Sequence, residues 1–231
     1  MRARLLILAC GAALLACGAA DARDEANGCR EFPVPQGAKL LYVAADMAVN
    51  GVPMSIKEMR TQDSPDAVLA FYRGEWGRGR PGFFENPLQE WRTIATFDGP
   101  CYYTVQVRAQ DGGSYALLGV SKRPAVKPRP PGEGFPMPSG SRVFNDLTHR
   151  DGPKQGRTLL LTNTQAPDAN VLFYRQTFES EGWVAVVDRP VSTEKGPAYV
   201  MLWRRGLEEA SITVQKGGAG TTIVANLVDQ P

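Results

Sequence analysis

The sequence predicts an α+β protein of two tandem repeats, each a mainly antiparallel sheet with one helix packed on it, in the order β-β-α-β-β-β. Three observations carry this reading. The nonapeptide Pro65-Asp66-Ala67-Val68-Leu69-Ala70-Phe71-Tyr72-Arg73 returns as Pro167-Asp168-Ala169-Asn170-Val171-Leu172-Phe173-Tyr174-Arg175, identical at six of nine positions. Recurrence at this level within one chain signals a duplicated unit. Phe32-Pro33-Val34-Pro35-Gln36-Gly37 is likewise echoed by Phe135-Pro136-Met137-Pro138-Ser139-Gly140, and Thr104-Val105-Gln106 by Thr213-Val214-Gln215. Finally, β-rich runs joined by short Gly-containing turns flank each nonapeptide, and short connections favour antiparallel neighbours.

The chain opens with Met1-Arg2-Ala3-Arg4, followed by an apolar run over residues 5–16. That run is too short to span a bilayer as a helix and reads as a secretory signal, residues 1–16. Leu14-Leu15-Ala16-Cys17-Gly18 then resembles the lipobox of bacterial lipoproteins. In that class the cysteine becomes the mature N-terminus and carries the lipid. The resemblance covers residues 1–18 only. It implies lipidation of Cys17 and anchorage in a membrane. Gly18 in place of Asp implies the outer membrane, with the chain on its periplasmic face. The other reading is an ordinary secretory signal cut after Ala19, Ala20 or Ala22, with Cys17 discarded. Loss of residues 1–16 removes Arg2 and Arg4 and no acid, so the formal charge falls from +2 to 0. A neutral chain gives no electrostatic case for a nucleic-acid partner. Residues 17–28 are small and polar and read as a flexible tether.

The first repeat, residues 29–123, has strand patterns over 39–49 and 52–61, turning at Asn50-Gly51. The nonapeptide helix follows. Pro65 suits the first helical position, Asp66 suits the dipole, and Ser64 is placed as N-cap. Leu69, Tyr72 and Trp76 share one helix face. Strand patterns at 91–97, 101–110 and 115–120 close the unit. The second repeat, residues 134–231, runs in parallel with it. It has strands at 142–148 and 157–164, a helix that lacks the Ser cap because position 166 is Ala, and strands at 183–187, 199–204, 211–215 and 221–228. Between them, residues 124–133 hold Pro124, Pro128, Pro130 and Pro131, an extended and semi-rigid spacer. This spacing implies two separate cores, free to dock edge to edge.

With Cys17 lipidated, Cys29 and Cys101 remain, and an oxidising compartment makes them a disulfide within the first repeat. The sequence offers no convincing catalytic set, metal site or cofactor motif. His149 is the one histidine and sits in a polar turn region beside Arg150 and Asp151. Gly77-Arg78-Gly79-Arg80-Pro81-Gly82 matches a dinucleotide fingerprint but follows a helix and precedes a strand, the reverse of the required order. Ser192-Thr193-Glu194-Lys195 matches a serine-enzyme tetrad but lacks its partner motifs.

The function expected is therefore a non-enzymatic, lipid-anchored periplasmic module that binds an envelope protein or helps assemble an envelope complex. A small-molecule or glycan binder is the alternative, and an unrecognised hydrolase a more remote one. The candidate partner contact is the loop after the first helix, formed by Trp76, Arg78, Arg80 and Phe83. There the second repeat is shorter and acidic, and arginine and aromatic residues are enriched at interface hot spots.

Overall fold

The computed structural model describes residues 23–24, 28–77, 82–88, 90–194, 196–218 and 220–229. Two short strands, β1 (Arg23–Asp24) and β2 (Cys29–Arg30), pair with each other at the start. Next comes the hairpin of β3 (Lys39–Val49) and β4 (Val52–Thr61). Its two-residue turn, Asn50-Gly51, takes positive φ at both positions, 50° and 76°. This suits the right-handed twist of the flanking strands, and Asn and Gly are the residues that tolerate it. Helix α1 (Pro65–Trp76) begins where the sequence indicates, with the Ser64 hydroxyl accepting from the Ala67 N–H at 3.3 Å. It is followed by β5 (Phe84–Leu88), β6 (Trp91–Asp98), β7 (Cys101–Gln110) and β8 (Gly113–Lys122).

The second half repeats the order: β9 (Arg142–Asp151), β10 (Lys154–Asn163), α2 (Pro167–Ser180), β11 (Val184–Thr193), β12 (Gly196–Arg205), β13 (Glu208–Lys216) and β14 (Thr221–Asp229). Ala166 gives α2 no side-chain cap. Asn170, which stands where α1 has Val68, is fully buried and exchanges amide hydrogen bonds with Asn163 at 2.7 and 3.2 Å.

The expected fold class is overturned. The protein is mainly β, and twelve strands form one continuous antiparallel sheet in the order β11-β12-β13-β14-β10-β9-β3-β4-β8-β7-β6-β5. It is not two α+β tandem units with separate sheets. The join is β3 against β9, through Met47 opposite His149, Ala48 opposite Thr148 and Val49 opposite Leu147. The strand count after the first helix is also corrected. Four strands follow each helix, β5 being the one the sequence pattern hid. The expected turn around His149 is strand: the residue lies within β9, with its imidazole where a Cβ of Gly156 would sit, 2.2 Å from that position.

Two apolar clusters form on this one sheet. The first gathers Val68, Leu69, Tyr72 and Trp76 of α1 against Met59, Ile94, Val105 and Leu118. The second gathers Val171, Tyr174 and Phe178 of α2 against Leu159, Leu161, Trp203 and Ile212. Burial alternates along β7, β8 and β13, so each strand gives one face to a core. The Cys29–Cys101 disulfide, with Cα atoms 6.0 Å apart, fixes the start of the described fold to the first residue of β7.

The segment between the halves is tied down by Asp146 of β9. Its carboxylate accepts from Arg157 Nε at 2.8 Å and from the second guanidinium nitrogen at 2.7 Å, and from the Gly132 N–H at 2.8 Å. Asn50 joins the same knot: its N–H donates to the Asp146 carbonyl at 2.8 Å, and its side-chain oxygen accepts from the Asp146 N–H at 2.9 Å. One buried acid thus holds the β3–β4 turn, the inter-half segment and β10 together.

Candidate functional sites

Of the four sequence-selected contact residues, the two described ones pack on the first core rather than lying open. Trp76 is buried in the first core, its ring 4.9 Å from Tyr72 and 6.4 Å from Phe32. Phe83 packs against the same core. Arg78 and Arg80 lie outside the described residues, as do Cys17 and the rest of residues 1–22. The two Phe-Tyr-Arg triplets spend their side chains within the fold. Tyr72 and Tyr174 are fully buried. Arg73 grips Glu85 of β5 with two N–H donors. Arg175 grips Asp188 of β11 at 2.8 and 3.1 Å and donates to the Tyr199 hydroxyl at 3.0 Å. Those Arg175 hydrogen bonds hold the Asp188 carboxyl below its ordinary range. Each helix arginine therefore fastens the outermost strand of its half.

Two other places present chemistry to a partner. The first is the outer edge of β3. The strand pairs with β9 only over Met47, Ala48 and Val49, so residues 39–45 have no neighbouring strand on that side among the described residues. Bulges between Tyr42 and Ala44 and between Ala44 and Met47 break the regular alternation against β4. Leu41, Tyr42 and Val43 are consequently exposed in succession, at 63%, 56% and 56%. Beneath them, the buried Lys57 ammonium sits 4.5 Å from the centre of the Tyr42 ring and 3.5 Å from Glu31.

The second is a cleft of about 560 Å³ on the helix-bearing face of the sheet, at the C-terminal end of α2. Cross-strand pairing explains its composition, because residues directly opposite in an antiparallel pair share a face. An inner row runs Ala48, Thr148, Arg157, Leu227 through the pairs Ala48–Thr148, Thr148–Arg157 and Arg157–Leu227. Phe135, Phe178 and Trp183 wall it. An outer row at the mouth runs Arg150, Gln155, Asp229 through the pairs Arg150–Gln155 and Gln155–Asp229. Asp46 stands next to Arg150 at 4.0 Å, and Arg205 is paired with Glu208 at 2.8 Å.

Of these features, sequence reasoning found only the edge's ingredients: the strand 39–49 was legible, but that its outer side stays open was not. No signal marks the cleft, because its two rows draw on strands as distant in the chain as those of Ala48 and Leu227. No protein-family model, no curated protein and no solved structure matches the chain.

Proposed function

We propose that this protein is a non-catalytic binding module, lipid-anchored through Cys17 on the periplasmic face of the outer membrane. It captures an extended segment of an envelope protein along the open edge of β3. The carrying observation is the run Leu41-Tyr42-Val43, exposed on a strand whose outer hydrogen-bonding groups face no other strand over residues 39–45 among the described residues. An unpaired strand edge is a template for adding another strand, and exposed apolar side chains beside it supply the surface to bury. The sheet's two terminal strands make the contrast. β5 carries Pro87 and β11 carries Pro190, and proline blunts an edge because it lacks the N–H a new strand needs. Residues 40–45 of β3 have neither proline nor charge. The Cys29–Cys101 disulfide supports residence in an oxidising compartment such as the periplasm.

The test is in-cell photo-crosslinking with a photoreactive residue at position 43, and at position 207, an exposed turn residue, as control. The reading expects one discrete adduct from position 43, lost in the Leu41→Lys variant, and none from position 207. The reading fails if the two positions give the same adducts, or if neither gives any. Cys17→Ser should separately abolish lipid labelling. Membrane-bound, processed protein from that variant would remove the anchor from the account.

A further inference from the structure

We infer that the cleft beside α2 is a second binding site, independent of the β3 edge, and that its ligand class is a short zwitterionic peptide with free amino and carboxyl ends. The mouth row presents two opposite charges on one face. Arg150 and Asp229 are each one strand away from Gln155, on the same face. Adjacent strands lie about 4.8 Å apart, which sets the Cα atoms of these two oppositely charged residues about 10 Å apart along the mouth. Three extended residues span about 10 Å. A tripeptide lying across the row therefore brings its carboxylate to the Arg150 guanidinium and its ammonium to the Asp229 carboxylate.

The neighbours leave these two charges open. Arg205 and Glu208 satisfy each other at 2.8 Å, and Glu209 is held by Arg204 at 3.1 Å. Among the described residues Arg150 has only the long 4.0 Å contact to Asp46, and Gln155 and Asp229 make no side-chain hydrogen bond or ion pair. Gln155, between the two charges, carries both a donor and an acceptor, matching a peptide group. Behind the mouth, Leu227 and the aromatic wall of Phe178 and Trp183 offer an apolar surface to a middle side chain. The volume falls within the usual range for small-ligand clefts.

The test uses the full chain in detergent and isothermal titration calorimetry with three probes: alanyl-leucyl-alanine, its N-acetyl form and its C-terminal amide. Blocking either end should weaken binding about tenfold, the value of one charge-assisted contact. The Asp229→Asn variant should bind the free and N-acetyl peptides equally. The Arg150→Gln variant should bind the free and amidated peptides equally. Both variants alter exposed side chains and leave the cores intact. Equal affinity of the wild type for all three probes, wild-type selectivity in either variant, or no binding at millimolar peptide overturns the inference. Loss of crosslinking at position 43 leaves it untouched, since that reads the β3 edge alone.

Discussion

At the scale of single residues, Asp146 carries the largest consequence. Burial opposes its charge, but the Arg157 and Gly132 donors outweigh that cost and lower its pKa. Breaking a buried pair strands the remaining charge, so Asp146→Asn should cost about 3 kcal/mol at neutral pH, measured by urea unfolding. The folded carboxyl releases its proton more readily than the unfolded one. The contribution is therefore complete above the unfolded value of about 3.9, and is lost as pH falls through the lower folded value. Wild type and variant should converge in stability in that acid window. A gap that stays constant down to pH 2 would mean that the carboxylate is not the source. Tyr72 and Tyr174 give the opposite case. Both hydroxyls are buried and have no hydrogen-bond partner among the described residues. Burial raises both pKa values. An unpaired buried hydroxyl is a cost, so Tyr72→Phe and Tyr174→Phe should each leave the melting temperature unchanged or raise it. A fall equivalent to more than about 1 kcal/mol would reveal a hydrogen bond absent from this account.

At the scale of elements, the nonapeptide announced both helices because its signals are local: Pro at the first position, an acid in the first turn, apolar residues on one face. The strands were legible wherever burial alternates. β5 escaped because Phe84-Glu85-Asn86-Pro87-Leu88 has no alternation and contains a proline, which reads as loop. What makes it a strand is its antiparallel pairing with β6, from Phe84–Ala95 to Leu88–Trp91, and Arg73 of α1 adds a hold on Glu85, contacts that no pattern encodes. Arg73→Ala should accordingly loosen β5, raising hydrogen exchange there while leaving β11 unchanged. Arg175→Ala should do the reverse. The cysteine pair was legible from parity and from the oxidising compartment that the lipobox resemblance implies. Replacing Cys29 and Cys101 by alanine should cost about 4 kcal/mol in the chain-entropy view for a loop of this length, with separation 72. A double-alanine variant as stable as the wild type would show that the bridge stabilises nothing.

At the scale of the whole molecule, the sequence misled. Two similar stretches and a proline-rich spacer suggested two sheets with separate cores, free to dock edge to edge, and β3 and β9 join them into one sheet. Among the described residues the join is three ladder pairs and the Asn50–Asp146 hydrogen bonds, between strands about 100 residues apart, and so short a seam leaves no periodic trace. The helices were plain in the sequence, but twelve strands on one sheet make the protein mainly β. The β3-edge proposal depends on the seam, and the cleft takes part of its floor from it. Pairing at Met47–Val49 and not beyond is what leaves residues 39–45 of β3 open, and it sets Asp46 and Ala48 beside the strands that floor the cleft. The decisive measurement is NMR on the isotopically labelled chain, reading cross-strand contacts for the pairs Met47–His149, Ala48–Thr148 and Val49–Leu147 together with exchange of the Asn50 amide, which donates to the Asp146 carbonyl. The account predicts that all three contacts are present and that the Asn50 amide is protected from exchange. Absent contacts, with Asn50 exchanging as fast as in an unfolded chain, would contradict it.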